Sequence, residues 1–229
     1  MSLGDGQSLK WVKSTIHGTG RRNGNMLRGV ILAGGENRRM GGKPKALLPI
    51  GGEKLIQRQI RLLTPICSEI VVVTNEPGLY VPVVGRSARI ITDLDPGKGP
   101  LGGMHAAFSL DGDAYTWVVG CDMPFLSSAA ADLMLDKAVD MKLDAVVPRL
   151  DSRLHPLHAV YRSTCAKAVA ELLASETYRV TELLGKIRWE PMPEAEFASK
   201  GIDTRFAVNT NTPEEWAAAL RMEDGGNVS

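Results

Sequence analysis

Short apolar runs, several of them rich in β-branched residues, recur along the chain, and most of them end in glycine or polar residues. A run without polar alternation is typical of a strand that is covered on both faces. Helical segments are predicted between the runs, over residues 55–63, where apolar side chains have helical spacing, and over residues 128–139. This order predicts one α/β domain with a mostly parallel sheet between two layers of helices. The predicted strands are residues 30–33, 70–73, 90–91, 117–119 and 145–147.

The last third of the chain is less regular. Residues 158–161 predict one more strand, with an antiparallel direction as one option, and residues 163–173 predict a helix. Thr212 and Glu215 form the pattern of a capping box, which predicts a final helix through residues 216–220.

Both ends of the chain lack a hydrophobic period. We interpret residues 1–26, which are rich in Gly, Ser, Asn, Lys and Arg, as a disordered or loosely attached leader, and a segment that is partly a tag is the alternative. Residues 223–229 are predicted to be a flexible tail. The folded domain is therefore expected over residues 27–222.

The composition excludes several classes of protein. A formal net charge of +1 provides no global field for nucleic acid, and no apolar run approaches the roughly 20 residues that cross a bilayer. Cys67, Cys121 and Cys165 lie far apart without a C-x-x-C pair, which indicates buried thiols in a reducing cytoplasm. We expect a cytoplasmic protein that binds neither nucleic acid nor membrane.

The first predicted strand runs directly into a loop that is rich in glycines and cations. Gly34 and Gly35 expose backbone amides that can approach phosphate oxygens closely. A triphosphate needs such amides together with fixed positive charges. A flexible turn with solvated basic side chains is the alternative. The cations of this loop are Arg38, Arg39, Lys43 and Lys45.

Two further polar segments follow predicted strands and are expected at the same edge of the sheet. Asp93 leads through a glycine-rich stretch to a helix predicted over residues 102–110, whose start could bind an anion, although a surface loop is the alternative. Asp122 ends a buried strand, where an isolated charge is costly. We interpret Asp122 as a Mg²⁺ ligand, because Ser127 or Ser128 is better placed to cap the next helix.

A fourth polar segment, residues 209–212, is also taken to follow a strand directly and is assigned to the same edge on that ground. The capping box accounts for Thr212 but for neither Asn209 nor Asn211, so a role in the turn and a role in binding both stay open. His105 lies on a predicted helix and is interpreted as a packed or solvated side chain and not as a catalyst. His155 and His158 lie too far in sequence from acids or cysteines to indicate a metal site.

Five motifs, taken in order, resemble those of the molybdenum cofactor guanylyltransferases. The similarity extends over roughly residues 29–220, and the shared order makes it far more specific than any single motif. Some members of that family carry an Asp directly before the loop lysine, where this chain has Pro44. The motifs are Leu-Ala-Gly-Gly at 32–35 with Arg-Met-Gly at 39–41 and Lys45, Gly-Pro-Leu-Gly-Gly at 99–103, Cys-Asp-Met-Pro at 121–124, Pro-Leu-His-Ala-Val-Tyr at 156–161 and Asn-Thr-Asn-Thr-Pro at 209–213.

The resemblance implies a Rossmann-like nucleotidyltransferase fold and transfer of GMP from GTP to molybdopterin that bears its metal. It implies Mg²⁺ as the cofactor, bound by Asp122, and transient contacts with other proteins of molybdenum cofactor synthesis and with molybdoenzyme chaperones. The implied catalytic residues are Arg39, Lys45 and Asp122. The implied substrate-binding residues are Leu32, Ala33, Gly34, Gly35 and Lys45 for the nucleotide and its phosphates, Asn75 and Asp93 for the nucleoside, Pro100, Leu101 and Gly102, and Asn209 and Asn211 on the pterin side.

Three other functions stay open at this point. They are transfer from CTP to molybdopterin, transfer from an NTP to a sugar or alcohol phosphate, and nucleotide binding without catalysis. GTP is favoured because Gly35 and residues 100–103 follow the guanylyl pattern, whereas cytidylyl relatives tend to differ there. A phosphate monoester acceptor is already ionised at neutral pH, so the reaction requires no general base.

Overall fold

The fold is described by a computed structural model, which covers residues 21–22, 25–34, 44–110, 112 and 114–225. Within these ranges the strands are β1 (Arg21–Arg22), β2 (Asn25–Leu32), β3 (Pro49–Ile50), β4 (Glu53–Lys54), β5 (Glu69–Val73), β6 (Arg89–Ile91), β7 (Tyr115–Gly120), β8 (Ala145–Leu150), β9 (Arg153–Leu154), β10 (His158–Arg162) and β11 (Trp189–Pro193). The α-helices are α1 (Leu55–Leu63), α2 (Pro77–Val84), α3 (Pro100–Phe108), α4 (Ser128–Asp140), α5 (Ala166–Ala174), α6 (Val180–Leu184), α7 (Glu194–Ala198) and α8 (Pro213–Gly225). Short 3-10 turns lie at Lys45–Leu47, Ser163–Cys165 and Thr204–Ala207.

The central sheet follows the order β11-β8-β10-β7-β2-β5-β6, with β1 paired to β2 and β9 paired to β8. Strands β7, β2, β5 and β6 are parallel, whereas β10 is antiparallel to both of its neighbours, β7 and β8. The expected α/β fold with a mostly parallel sheet is confirmed. The strand over residues 158–161 is also confirmed, in the antiparallel direction.

Helices cover both faces of the sheet, because alternate strand residues point to opposite sides. Ile31 and Trp117 belong to the apolar core under α1, α2, α4 and α7. Val30 and Val118 belong to the core under α3, α5 and α6. The helix predicted over residues 55–63 is confirmed at those bounds, and Ser127 caps α4 by accepting a hydrogen bond from the backbone N–H of Ala130.

Three predicted helices have bounds that differ by two residues or more from those in the structure. Helix α3 begins at Pro100, two residues early, because proline suits the first helical position. The helix expected over residues 163–173 begins as a 3-10 turn. The capping box forms between Thr212 and Glu215 as expected, but α8 starts at Pro213 and continues to Gly225, beyond the expected end at residue 220.

Two elements of the structure extend past the residues expected for the folded domain. Strand β2 begins at Asn25 and pairs with Arg21–Arg22, so the ordered sheet starts before residue 27. Glu223, expected in a flexible tail, lies in α8 and forms a bidentate ion pair with Arg58 at 2.7 Å. Residues 1–20 and 226–229 of the predicted leader and tail lie outside the described residues. No helix in the described ranges combines the length and apolar character that crossing a membrane requires.

Candidate active site

The carboxyl ends of the parallel strands β2, β5, β6 and β7 meet at one edge of the sheet, beside a cavity of about 300 Å³. Seven residues assigned from the sequence line this strand-end cavity: Leu32, Gly34, Lys45, Asn75, Asp93, Pro100 and Asp122.

One end of the cavity carries a pair of opposite charges. Lys45 lies in the 3-10 turn after the glycine loop, and its Nζ is 3.9 Å from Oδ2 of Asp122. The same Nζ donates a hydrogen bond of 2.8 Å to Oδ1 of Asn211. The side chains of Lys45 and Asp122 are only 16% and 23% exposed, so their charges act in a medium that screens them less than water does.

The pKa of the Asp122 carboxyl is raised, chiefly because burial disfavours its ionised form, while the positive charge of Lys45 acts in the opposite direction. The lysine therefore does not fully offset the cost of burying this carboxylate. Within the described ranges, no group of three or more His, Cys, Asp or Glu could hold a metal ion. A carboxylate oxygen is a hard ligand that suits Mg²⁺, which usually takes one or two carboxylates and completes its shell with water and phosphate oxygens.

Polar groups at the other end of the cavity are linked in a chain of hydrogen bonds. Oδ1 of Asn75 accepts from the backbone N–H of Asp93 at 3.2 Å, and Oδ1 of Asp93 accepts from the backbone N–H of Asp95 at 2.9 Å. Oδ2 of Asp95 lies 3.1 Å from Nδ1 of His105, so this histidine has an acidic partner that the sequence did not suggest. Burial raises the pKa of Asp93, although the amide of Asp95 opposes the shift.

The fourth polar segment follows the 3-10 turn Thr204–Ala207 and not a strand, which corrects the assumption that placed it at this edge. It nevertheless reaches the cavity from the side. The N–H and Oγ1 of Thr210 both donate to the backbone carbonyl of Asp122 at 2.9 Å, and Asn211 accepts from Lys45. Asn209 is exposed and does not line the cavity.

The remaining assigned residues do not line the cavity or are not described. Ala33 is buried and its carbonyl accepts from the Tyr80 hydroxyl at 3.3 Å, while Leu101 is fully buried in the core under α3. Gly102 packs beneath Asp93 without reaching the cavity itself. Two assigned residues, Gly35 and Arg39, lie outside the described residues.

The sequence model of a protein family, described as "MobA-like NTP transferase domain", matches residues 29–188. The chain belongs to this family. It is therefore a nucleotidyltransferase, and the resemblance of its motifs to the molybdenum cofactor guanylyltransferases is confirmed by the relatives described next.

Two curated relatives of this MobA-like transferase match along nearly their whole lengths. The probable molybdenum cofactor guanylyltransferase of Pelotomaculum thermopropionicum is 36% identical over 203 residues, which cover 87% of this chain and 95% of that protein. The molybdenum cofactor guanylyltransferase of Desulfosudis oleivorans is 31% identical, over 88% of this chain and 98% of that protein. Molybdopterin-guanine dinucleotide biosynthesis protein A from Archaeoglobus fulgidus has the same fold, with a TM-score of 0.75 and 24% identity over 86% of this chain and 99% of that one.

Several cavity residues of the MobA-like domain were not assigned from the sequence. Thr74 directly follows β5, so the rule that ligands gather after strand ends could have found it. Gly97 and Gly99 have positive φ angles of 82° and 66°, which favour glycine, and their clustering in one loop was the available signal. Leu157 lies in the motif at residues 156–161, but that motif gave it no role, because its place at the cavity depends on the pairing of β10 with β7: its carbonyl accepts from the N–H of Gly120. The others are Val73, Gly103, Gly120 and Cys121.

The close packing of Gly102 predicts a binding defect in Gly102→Ala. A methyl group at this position would lie 2.7 and 2.8 Å from the Asp93 carboxylate oxygens and 2.8 Å from the backbone carbonyl of Asp95. Since a backbone atom is among these neighbours, the loop that carries Asp93 must shift. We expect the GTP dissociation constant, measured by calorimetry, to rise about tenfold, which corresponds to about 1.4 kcal/mol.

Gly78→Ala is the matched control for this change. Gly78 also lies in the first turn of a helix, and nothing lies within 4 Å of a methyl group placed there. It should leave GTP binding unchanged. Equal GTP affinity in Gly102→Ala and Gly78→Ala would show that Asp93 does not contribute to nucleotide binding.

Proposed function

We propose that this nucleotidyltransferase joins the GMP of GTP to molybdopterin that bears its metal and releases pyrophosphate. The observation that carries the proposal is the strand-end cavity. It is lined at one end by the hydrogen-bonded residues Asn75 and Asp93 and at the other by the charge pair of Lys45 and Asp122. Relatives at 36% and 31% identity that are named molybdenum cofactor guanylyltransferases support the choice of substrates. The product is the guanine dinucleotide form of the cofactor.

We propose that GTP lies with its nucleoside at one end of the cavity and its phosphates at the other. Asn75 and Asp93 offer an amide and a carboxylate, which suit the hydroxyl and amino groups of a nucleoside. Lys45 and the backbone of Gly34 suit the phosphates. Asn211 approaches Lys45 from outside the cavity lining, which supports our assignment of the acceptor molybdopterin to the side of the segment 209–212.

The reaction breaks the bond between the α- and β-phosphates of GTP and forms a bond between the α-phosphorus and a phosphate oxygen of the acceptor. That oxygen is already ionised, so the protein has no proton to remove. Two observations agree with a reaction that needs no general base. No histidine is found among the described residues that line the cavity. Burial is the main cause that raises the pKa of Cys121 to about 12, which keeps its thiol protonated.

Catalysis then rests on alignment and on neutralisation of charge. We assign Mg²⁺ to Asp122, where a bound ion would stabilise the negative charge that develops on the phosphates. Lys45 holds the phosphates and offsets charge on the departing pyrophosphate. Arg39 and Gly35 stay predictions from the sequence for the same phosphates.

We further propose that the enzyme works in the cytoplasm, since all three cysteines are unpaired thiols. The resemblance to the molybdenum cofactor guanylyltransferases implies that the product passes to molybdenum enzymes. Transient contacts with proteins of molybdenum cofactor synthesis and with molybdoenzyme chaperones are part of the same proposal.

A competition between nucleotides tests the proposal. The enzyme is incubated with molybdopterin, Mg²⁺ and equal GTP and CTP, and the dinucleotide product is identified by mass spectrometry. A site that pairs with guanine leaves buried groups unpaired when the wrong base binds, at about 1–3 kcal/mol for each group. Two such losses give a preference for GTP on the order of a hundredfold.

Each other outcome identifies a different function. Comparable CMP incorporation would assign the cytidylyl reaction. Transfer to a sugar or alcohol phosphate, but not to molybdopterin, would assign another nucleotidyltransferase. Tight GTP binding without any product would indicate a protein that binds nucleotide without catalysis.

A further inference from the structure

The turn that carries Asp122 is held by hydrogen bonds to its backbone carbonyls from two distant parts of the chain. Gln59, on α1, is fully buried, and its Nε2 donates to the carbonyls of Gly120 at 2.8 Å and Met123 at 2.9 Å. These carbonyls stand on either side of Asp122 in the sequence. One amide group therefore fixes both arms of the turn.

The carbonyl of Asp122 itself is held from the opposite direction. Thr210 is fully buried, and both its backbone N–H and its Oγ1 donate to this oxygen at 2.9 Å. The backbone carbonyl of Pro124, two residues after Asp122, accepts a hydrogen bond of 2.9 Å from Nε of Arg58. With its carbonyls held at residues 120, 122, 123 and 124, the turn has little freedom to redirect the Asp122 side chain.

The environment of Gln59 indicates that this residue does more than stabilise the folded chain. Its Oε1 is buried and accepts no hydrogen bond in the described part of the chain. A buried acceptor without a partner is costly, and an apolar side chain of similar size would avoid that cost on the apolar face of α1. The two donated hydrogen bonds are what an apolar side chain would lose, and both act on the turn that carries Asp122.

We infer that Gln59 and Thr210 are positioning residues, which hold the Asp122 carboxylate in place for a divalent cation and the nucleotide phosphates. This inference rests on the proposed function, because it assumes that Asp122 binds the metal. Groups that orient a metal ligand through a second layer of hydrogen bonds typically change metal affinity or activity 10- to 100-fold when they are removed.

The test compares Gln59→Met with the wild-type chain. Methionine keeps most of the volume and removes both donors. GTP binding is measured by calorimetry with and without Mg²⁺, and guanylyl transfer is measured over a range of Mg²⁺ concentrations. We expect GTP affinity without Mg²⁺ to change less than about twofold. The factor by which Mg²⁺ increases GTP affinity should fall about tenfold, and the Mg²⁺ concentration that gives half-maximal transfer should rise by a similar factor.

Tyr115→Phe is the matched structural control. The Tyr115 hydroxyl also contacts two backbone carbonyls, those of Ala138 and Leu143 at 3.1 and 3.2 Å, which share its single proton, but it does so at the opposite end of β7. Its loss should lower the melting temperature without changing the response to Mg²⁺. If Mg²⁺ increases GTP affinity and transfer equally in Gln59→Met and in Tyr115→Phe, the positioning role of Gln59 is overturned.

Thr210 provides a second test that does not depend on the folding of Gln59→Met. Thr210→Val keeps the shape and removes the hydroxyl donor, whereas Thr210→Ser keeps the donor. We expect Thr210→Val to weaken the tightening by Mg²⁺ severalfold and Thr210→Ser to restore it. Equal values for the two variants would overturn the role of Thr210.

The failure of the inference can be told apart from the failure of the proposed function. A wild-type chain that transfers no GMP to molybdopterin contradicts the function, but the loss of the Mg²⁺ response in Gln59→Met would still support the positioning role. Absence of any tightening of GTP binding by Mg²⁺ in the wild-type chain would overturn the inference, because Asp122 would then have no metal to hold.

Discussion

Replacement of Asp122 by Asn is expected to lower kcat/KM for guanylyl transfer by at least about a thousandfold, or about 4 kcal/mol of transition-state stabilisation. Asn keeps the size of the side chain but removes the charge that we assign to Mg²⁺. The loss should persist at high Mg²⁺ concentrations. The measurement is steady-state kinetics of the transfer to molybdopterin, together with thermal melting of the metal-free protein.

The melting temperature separates a catalytic role of Asp122 from a structural one. Burial raises the pKa of this carboxyl above its ordinary value, so the folded chain binds its proton more tightly than the unfolded chain does. The free energy of unfolding therefore decreases as the pH rises from the ordinary carboxyl range through the raised pKa, and this loss is complete above it. Asn removes the titration, and metal-free Asp122→Asn should melt no lower than the wild-type chain at neutral pH.

Asp144→Asn is the control for this change. Asp144 is also a partly buried carboxylate, and its Oδ2 accepts from the backbone N–H of Arg188 at 2.9 Å, at the start of β8 and away from the cavity. Its replacement should affect melting and leave kcat/KM unchanged. Near-wild-type activity of Asp122→Asn in Mg²⁺ would rule out the metal assignment, and a large drop in its metal-free melting temperature would indicate a structural role.

Lys45→Met is expected to lower kcat/KM by about two orders of magnitude, or about 2.7 kcal/mol. Methionine retains the aliphatic stem and removes the ammonium group that lies 3.9 Å from Asp122. Because that charge acts on the phosphates and not on the base, the preference for GTP over CTP should stay the same. Kinetics with each nucleotide measure both quantities.

Lys137→Met is the matched control for the loss of this ammonium group. Lys137 is similarly buried, with a side chain 19% exposed, and its Nζ pairs with Glu196 at 2.9 Å on α7. We expect Lys137→Met to be less stable but fully active. If Lys45→Met also keeps its kcat/KM, Lys45 is only a structural partner of Asn211, and Arg39 or Lys43 becomes the candidate for phosphate binding.

Much of the lining of the cavity was predictable, because ligands bind at the carboxyl ends of the strands in a parallel sheet. Leu32, Asn75, Asp93 and Asp122 each stand at or after a strand that its apolar run identifies. The strand-end rule then brings them to one edge without any knowledge of the strand order. Leu101 was assigned with its motif but is a core residue, since the motif includes a full helical turn and only some of its residues face the cavity.

Contacts between distant segments were not predictable in this way. Thr210 and Asn211 reach Asp122 and Lys45 across 88 and 166 residues of sequence. The one sequence signal for Gln59 was a polar residue three positions after Ile56 on the apolar face of α1, and that pattern does not say which carbonyls it would meet.

The sequence by itself did not predict α2, α6, α7 or β11. It determined the order of the other main strands and helices, the cap of α4, the capping box of α8 and the identity of Asp122 as a strand-end acid. These features depend on periodicity and on hydrogen bonds between residues a few positions apart, which the local chain specifies. Only the tertiary structure decided that β10 lies between β7 and β8 and that α8 extends far enough for Glu223 to pair with Arg58. It also decided that the turn carrying Asp122 is held between α1 and Thr210, because such contacts depend on how whole layers pack, and no local pattern records that packing.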